Sequence, residues 1–526
     1  MRYVNGRLFT CDDGQPWAQA LVVEGDRIGY VGSTAGAREY APAAAEVDLG
    51  GATVLPGFVD GHAHLLMTGE AQLRAHLTDA GDLGEIQRRL RAWAKENPDA
   101  PRVLGRGWLY DAVPDGTPSR HMLDDVAPDR PVYLDANDYH SAWVNTAALA
   151  ELGITSATPD PVGGRIARDP LTGEPTGHLI ETAALEIVWP FLDSVRSDTD
   201  ADRALAAAVD AFLTAGVTGA VDMALDEAGL AAMVRAGDLG LRVAAHWLIQ
   251  RGGDALAQVR RAAELAAEHR SPWLRVTGVK FIVDGVIDGC TASMTAPYAD
   301  GSNADPIWDL DALAPAVAAA DAAGLQVALH AIGDQAVRIA LDALEYAAGV
   351  NGPKPRRHRI EHLEYVDEAD VPRLAELGVT ASMQPVHADP AIRPNWAAML
   401  GDARAERGFA WPEMTRAGAR LAFGTDAPTA PHAALPNMFI AGTRRSALSP
   451  DLPALQPHLA LPVAQAIIHG TADSAWACRA EAHQGRLRAG LLADFVVLDR
   501  DPFADPNTLL RTTVTSTVVG GRTPRG

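Results

Sequence analysis

From about residue 201 onward the chain alternates two hydrophobic rhythms. An Ala-rich, helix-forming stretch, Ala201–Ala215, runs to Gly216, and the apolar run Val217–Met223 follows. The succession recurs with Glu227–Ala236 before Leu241–Ile249, Ala255–His269 before Leu274–Val283, and Leu310–Ala323 before Leu325–His330. It continues with Asp334–Ala348 before His358–Tyr365, Glu368–Leu377 before Val379–Gln384, and Pro412–Ala417 before Ala419–Gly424. Helix, glycine stop and β-branched strand, repeated, is the pattern of βα units around a parallel sheet. Upstream, Val54–His64 reads as one further apolar strand and brings the count to eight, which predicts an α/β fold of the (β/α)8 TIM-barrel type rather than an open doubly wound sheet. No GxGxxG or GxxxxGK[ST] follows any of these strands, which removes support for nucleotide binding.

The two ends of the chain carry a different pattern. Arg7–Thr10, Ala20–Val23 and Arg27–Val31 at one end, and Asp494–Leu498 and Thr513–Val519 at the other, read as short strands separated by glycine turns. Neither end has enough strands to bury a core alone. They predict one small β-sandwich built from residues 1–54 and 485–526, around a barrel at 55–484. Residues 75–195 interrupt the barrel rhythm with a helix at Leu83–Lys95, proline-rich turns, a strand at Val132–Asp135 and a hairpin around Gly163–His178. This is an insertion after the first barrel strand. Loops at the carboxyl ends of barrel strands surround the active site, so it is expected to act as a lid or substrate wall.

Composition narrows the function classes. Of 526 residues, 48% are hydrophobic, ample for a large core. The formal net charge of −22 disfavours nucleic acid and anionic membranes as partners. No apolar run is long enough to span a bilayer and the first residues lack a signal-peptide core, so a cytoplasmic location is expected. Only Cys11, Cys290 and Cys478 are present, which excludes a disulfide framework and a Cys-based zinc motif. Any metal must be held by His, Asp, Glu or Lys chemistry. A small-molecule substrate is the expected partner, and assembly as a homo-oligomer stays open.

Candidate chemistry collects at the predicted strand ends. His62 and His64 are two residues apart, so on a strand both imidazoles point to one side. Lys280 falls at the fourth strand, His330 at the fifth, His362 at the sixth and Asp426 just after the eighth. Each has a bland reading alone: a loop histidine, a surface lysine, a helix N-cap. Gathered at one barrel mouth, four imidazoles, an amine and a carboxylate point to a metal site.

The segments around these residues resemble the amidohydrolase superfamily, and within it the amidohydrolase-3 branch of YtcJ-like and N-substituted formamide deformylase-like proteins. The resemblance rests on PGFVDGHAH (56–64), KFIVDG (280–285), HAIGDQAV (330–337), RIEHLEYV (359–366), FGTDAP (423–428), GRLRAGLLADFVVLDRDPF (485–503) and, in the insertion, HSAWVNTAAL (140–149) and the GGRI…GEPTGHL hairpin. It implies a metal-dependent hydrolase with one or two divalent ions per chain, Zn2+ being the expected one. His62, His64 and Asp426 would hold one ion, His330 and His362 a second, and Lys280, carboxylated to a carbamate, would bridge them. A divalent ion lowers the pKa of bound water and polarises a carbonyl, and Asp426 would carry the proton to the leaving nitrogen. The expected reaction is cleavage of a C–N bond in an N-formyl or N-acyl amine. A lactone, carbamate or ester substrate and a non-catalytic barrel are the alternatives. His140, Trp108, Asp111 and Gln384 are candidate substrate contacts, as is His387. Thr425 stands where the branch often has serine, and Gly285–Cys290 departs from its usual run, which bears on substrate choice.

Overall fold

The structure, a computed structural model, describes residues 1–137, 141–161 and 164–523. The chain divides into two units, residues 1–68 with 208–526, and residues 69–207. In the first, eight parallel strands lie in one row in chain order: β1 (Phe58–Ala63), β2 (Val217–Leu225), β3 (Arg242–Leu248), β4 (Leu274–Ile282), β5 (Gln326–Ala331), β6 (Arg359–His362), β7 (Thr380–Met383) and β8 (Arg420–Phe423). A parallel bridge between Ala63 and Ala427 links the two ends of the row into a barrel. The glycine stops do what the pattern requires. Gly216 and Gly418 turn the chain with φ of 85° and 94°, a conformation that costs a residue without Cβ little.

The Val54–His64 run is not one strand but two. Thr53–Pro56 pairs with Arg7–Phe9 and Phe495–Leu498 in a five-stranded sheet, whereas β1 begins at Phe58 and pairs with β2. Gly57 is the crossing point: its N–H donates to Asp494 O at 3.0 Å, and a Cβ there would collide with Thr218. A continuous apolar run cannot reveal such a break, because both halves are buried. The five-stranded sheet, ordered Val514–Val518, Phe495–Leu498, Thr53–Pro56, Arg7–Phe9 and Trp17–Ala18, interleaves both chain ends. With a four-stranded sheet from residues 2–48 it shares a core of Leu8, Leu21, Ile28, Val54, Phe495 and Val518. The fold is therefore a TIM barrel with a β-sandwich.

The second unit is built on a six-stranded sheet running from Gly164–Arg168 to Ala75–His76. The helix Leu83–Glu96 is capped by Asp82, whose carboxylate accepts from Glu85 N, and buries Ile86, Leu90 and Ala94 at four-residue spacing. Its core includes Trp108, fully buried edge-on against Trp143 at 5.5 Å, with its indole N–H on Leu134 O at 3.2 Å. Among the described residues no helix is long and apolar enough to cross a membrane.

One contact in the barrel wall bears directly on the strand ends. At Gly424, just past β8, a Cβ would fall on the backbone nitrogen of His62. Gly424→Ala is expected to force β8 away from β1 and cost about 1–3 kcal/mol, read as a lowered urea midpoint. An unchanged midpoint would show that the wall yields freely.

Candidate metal centre

His62 lies in β1 and His64 one residue past its end; Asp426 follows β8, the neighbouring strand across the closure. Their ligand atoms come within 4.8 Å of one another. His64 Nε2 donates to Asp426 Oδ1 at 3.0 Å, and His62 Nε2 lies 3.2 Å from the same oxygen without forming a hydrogen bond. His362, the last residue of β6, stands with its ring centroid 5.0 Å from that of His62 and 4.4 Å from that of His330 on β5. Lys280 on β4 is 2% exposed, and its charge acts on His62, His330 and His362. The residues expected from five separate strand ends are thus brought to one place.

The proton on His62 is placed from behind. Its Nδ1–H donates to Glu361 Oε2 at 2.7 Å, and Arg359 grips both oxygens of that carboxylate at 2.5 and 3.0 Å. Arg359 also donates to Gly61 O and Ser382 Oγ, each at 2.6 Å. With the proton held on Nδ1, Nε2 turns a lone pair toward the Asp426 carboxylate. Two acceptors at that distance repel unless a cation lies between them. His64 Nδ1 and His362 Nδ1 are likewise buried without a hydrogen-bond partner, whereas buried polar atoms are normally satisfied. The donor set fits a divalent ion: imidazoles and a carboxylate, with a carboxylate orienting one imidazole.

Two buried aspartates tie the strand ends together. Asp60 accepts from His62 N, Thr425 N and Thr425 Oγ1, at 3.0, 3.0 and 2.6 Å, so the hydroxyl of Thr425 does what a serine there would do. Asp284 accepts from Ser293, Ile332 and Gly333 N–H and clamps the loop after β4 to the loop after β5. Non-glycine residues also adopt left-handed backbone here: His362, Leu363 and Asp426 have φ of 74°, 49° and 58°. Such strain is commonly held where a side chain must be aimed.

The electrostatics follow from burial. Burial pushes His330 down to about 3, and both His62 and His362 below the usual imidazole range, so these rings are neutral at pH 7. Burial lowers the Lys280 ammonium to about 8, against the pull of Glu361 and Asp426. Burial would raise Asp426, yet it is held well below the carboxylate range, with the hydrogen bond from His64 Nε2–H among the causes. Beyond Asp426 stands a second group, His362, Glu364 and His387, also with ligand atoms within 4.8 Å of one another. His387 Nδ1–H donates to Glu364 Oε1 at 3.0 Å, and Nε2 is 3.7 Å from Asp426 Oδ2. Burial would lower the His387 pKa, yet the bond to Glu364 outweighs it and the pKa is raised.

His246 on β3 gives the interior a pH signature of its own. It is fully buried, donates Nε2–H to Gln326 Oε1 at 3.0 Å, and is pushed down to about 3 by burial and the nearby Arg359. An unfolded histidine titrates near 6.5, so between about 6.5 and 3 the unfolded chain binds the extra proton and stability falls as pH falls. His246→Gln is expected to lessen the stability lost between pH 6.5 and 5 by about 2 kcal/mol, measured by urea unfolding at both pH values. An unaltered pH slope would show that His246 titrates normally.

The candidate substrate contacts fare differently. Gln384, just past β7, is 2% exposed and neither atom of its amide has a hydrogen-bond partner. Trp108, in the core of the second unit, has no exposed surface to offer a ligand, and Asp111 lies on that unit's surface. His140 falls outside the described residues. Three residues of the site went unread in the sequence: Arg359, Glu361 and Glu364. The available signal was Arg-Ile-Glu-His, in which two charged residues share one face of a short buried strand.

The model of the Amidohydrolase family matches residues 45–523 of the chain. Protein LONG AFTER FAR-RED 3 of Arabidopsis thaliana is 31% identical over 98% of this chain and 90% of its own length. An N-substituted formamide deformylase of Arthrobacter pascens is 29% identical over 95% of this chain and 93% of its own. Among solved structures, an uncharacterized metal-dependent hydrolase from Pyrococcus furiosus superposes with a TM-score of 0.78 at 26% identity, covering 95% of this chain and 99% of that one.

Proposed function

Because the chain belongs to the amidohydrolase family, we propose that it is a metal-dependent hydrolase that cleaves the C–N bond of an N-formyl or N-acyl amine. The observation that carries this reading is the pair of lone pairs, His62 Nε2 and Asp426 Oδ1, set 3.2 Å apart with no hydrogen bond between them. His62, His64 and Asp426 would hold one divalent ion. His330 and His362 would hold a second, with Lys280 as a carbamate between them. The lowered pKa of Lys280, about 8, supports the carbamate, because it leaves a fraction of neutral amine to add CO2. Bound there, a divalent ion lowers the pKa of water and polarises a carbonyl oxygen.

The remaining work falls to the side chains. Asp426, ionised and fixed by His64, accepts a proton at Oδ2 and returns it to the leaving nitrogen. His387 faces that oxygen and is braced by Glu364, so the Asp426–His387–Glu364 line offers the surplus proton a way out. Gln384, with an unpaired amide, would hydrogen-bond the acyl group. The formamide substrate class draws on the Arthrobacter pascens relative.

A panel of N-formyl amines, N-acetyl amines and N-acyl amino acids, assayed with zinc- or manganese-loaded protein, tests the reading. Turnover of N-formyl or N-acyl amines, abolished by chelation and restored by metal, is expected. Purified protein that retains less than about one divalent ion per chain after zinc loading would sink the reading, as would hydrolysis of lactones alone.

A further inference from the structure

A cavity of about 820 Å3 opens at the amino ends of β2, β3 and β4, and residues of the barrel-and-sandwich unit alone line it. The candidate metal centre lies at the opposite, carboxyl ends of the strands, roughly 20 Å away along a strand of this length. Five arginines line the cavity, Arg27, Arg242, Arg270, Arg275 and Arg522, against the carboxylates of Asp26 and Asp238. That is a local excess of positive charge in a chain of net charge −22.

The arginines are not all spoken for. Arg242 is paired with Asp494 at 2.7 Å and lies over the indole of Trp273, its guanidinium 4.7 Å from the ring centroid. Arg27 comes no nearer than 4.0 Å to Asp26. Arg275 donates to the carbonyl of Cys478 at 3.2 Å, and Arg270 to that of Ala266 at 2.9 Å. Among the described residues, no carboxylate lies within ion-pair distance of Arg270, Arg275 or Arg522. A second feature of the wall also calls for a ligand. Gln484 is 4% exposed, and its Oε1 has no hydrogen-bond partner. A buried acceptor left in that state is costly unless a donor reaches it.

We propose that this cavity binds a small phosphorylated metabolite that also carries hydroxyl or amine donors, of the class of sugar and nucleoside phosphates. Guanidinium groups match phosphate oxygens with paired, charge-assisted hydrogen bonds, which is the use unmatched arginines serve best. A bare inorganic anion would satisfy them but leave Gln484 Oε1 without a donor. Trp273 adds an apolar face for a sugar or base, and the volume is that of a small-molecule site. The site is separate from the proposed reaction, so its occupant acts on the enzyme as an effector rather than as a substrate.

Isothermal titration of the full-length, metal-loaded protein with inorganic phosphate, ribose 5-phosphate and AMP tests this. Saturable binding of ribose 5-phosphate or AMP is expected, at least about ten-fold tighter than that of phosphate. Arg275→Ala should weaken it about ten-fold or more. Arg270→Ala and Arg522→Ala, at exposed positions, should weaken it in the same direction with folding intact. Gln484→Leu should bring the organic phosphates toward the affinity of inorganic phosphate. Absence of saturable binding by all three probes would overturn the proposal. So would binding that the arginine variants leave unchanged, the result expected of anions held at the metal centre, and so would equal affinity for phosphate and AMP.

Discussion

Asp426→Asn is expected to fold as the parent does and to lose activity by about 1,000-fold. The amide matches the carboxylate in size, keeps an oxygen for the His64 Nε2–H, and leaves the backbone bond from residue 426 N to His62 O, 2.7 Å in the parent, in place. What it loses is the negative charge and the ability to accept a proton. Both losses fall on the same step: a weaker hold on the cation and no carrier toward the leaving nitrogen. Metal content measured beside kcat separates them. At saturating zinc, with the metal content of the parent restored, the remaining defect belongs to proton transfer. Activity within about ten-fold of the parent under those conditions would refute the proton-carrying role of Asp426. Thermal unfolding shifted by only a few degrees would establish that the loss is chemical rather than structural.

The largest effect on stability is expected from Arg359→Met. Arg359 and Glu361 are both fully buried, and the guanidinium is the only cation hydrogen-bonded to that carboxylate among the described residues. Burial would raise the Glu361 pKa, yet Arg359 and His62 hold it well below the usual range. Removing one partner of a buried ion pair leaves the other charge uncompensated, which costs about 3–5 kcal/mol. Methionine fills most of the volume, so the loss is electrostatic rather than a cavity. The double variant Arg359→Met, Glu361→Gln should recover part of it, because the amide can still take the His62 Nδ1–H. Urea unfolding of the three proteins measures this. Equal stability of Arg359→Met and the parent would mean that Glu361 takes up a proton at no cost. Zinc affinity should fall with the loss of His62 orientation and return partly in the double variant.

Much of this molecule was legible along the chain. The repeated helix, glycine and apolar strand implied the barrel because helix and strand periodicities are local and a glycine stop needs no partner. The His62–His64 pair, and the placing of Lys280, His330, His362 and Asp426 at strand ends, followed from that count, since every strand of a parallel barrel points its carboxyl end the same way. The break at Gly57 was not legible, because a buried strand of the sandwich and a buried strand of the barrel have the same composition. Nor was the clamp on His62: Glu361 lies 299 residues away, and nothing near either residue marks them as partners. The same holds for His387 on Glu364 and for the unmatched arginines at the amino ends of β3 and β4. Local sequence encodes which element forms and where it ends. Which buried charge answers which, and which ring nitrogen keeps its lone pair, is settled by contacts that exist only once distant strands are side by side, where low dielectric makes each pairing matter.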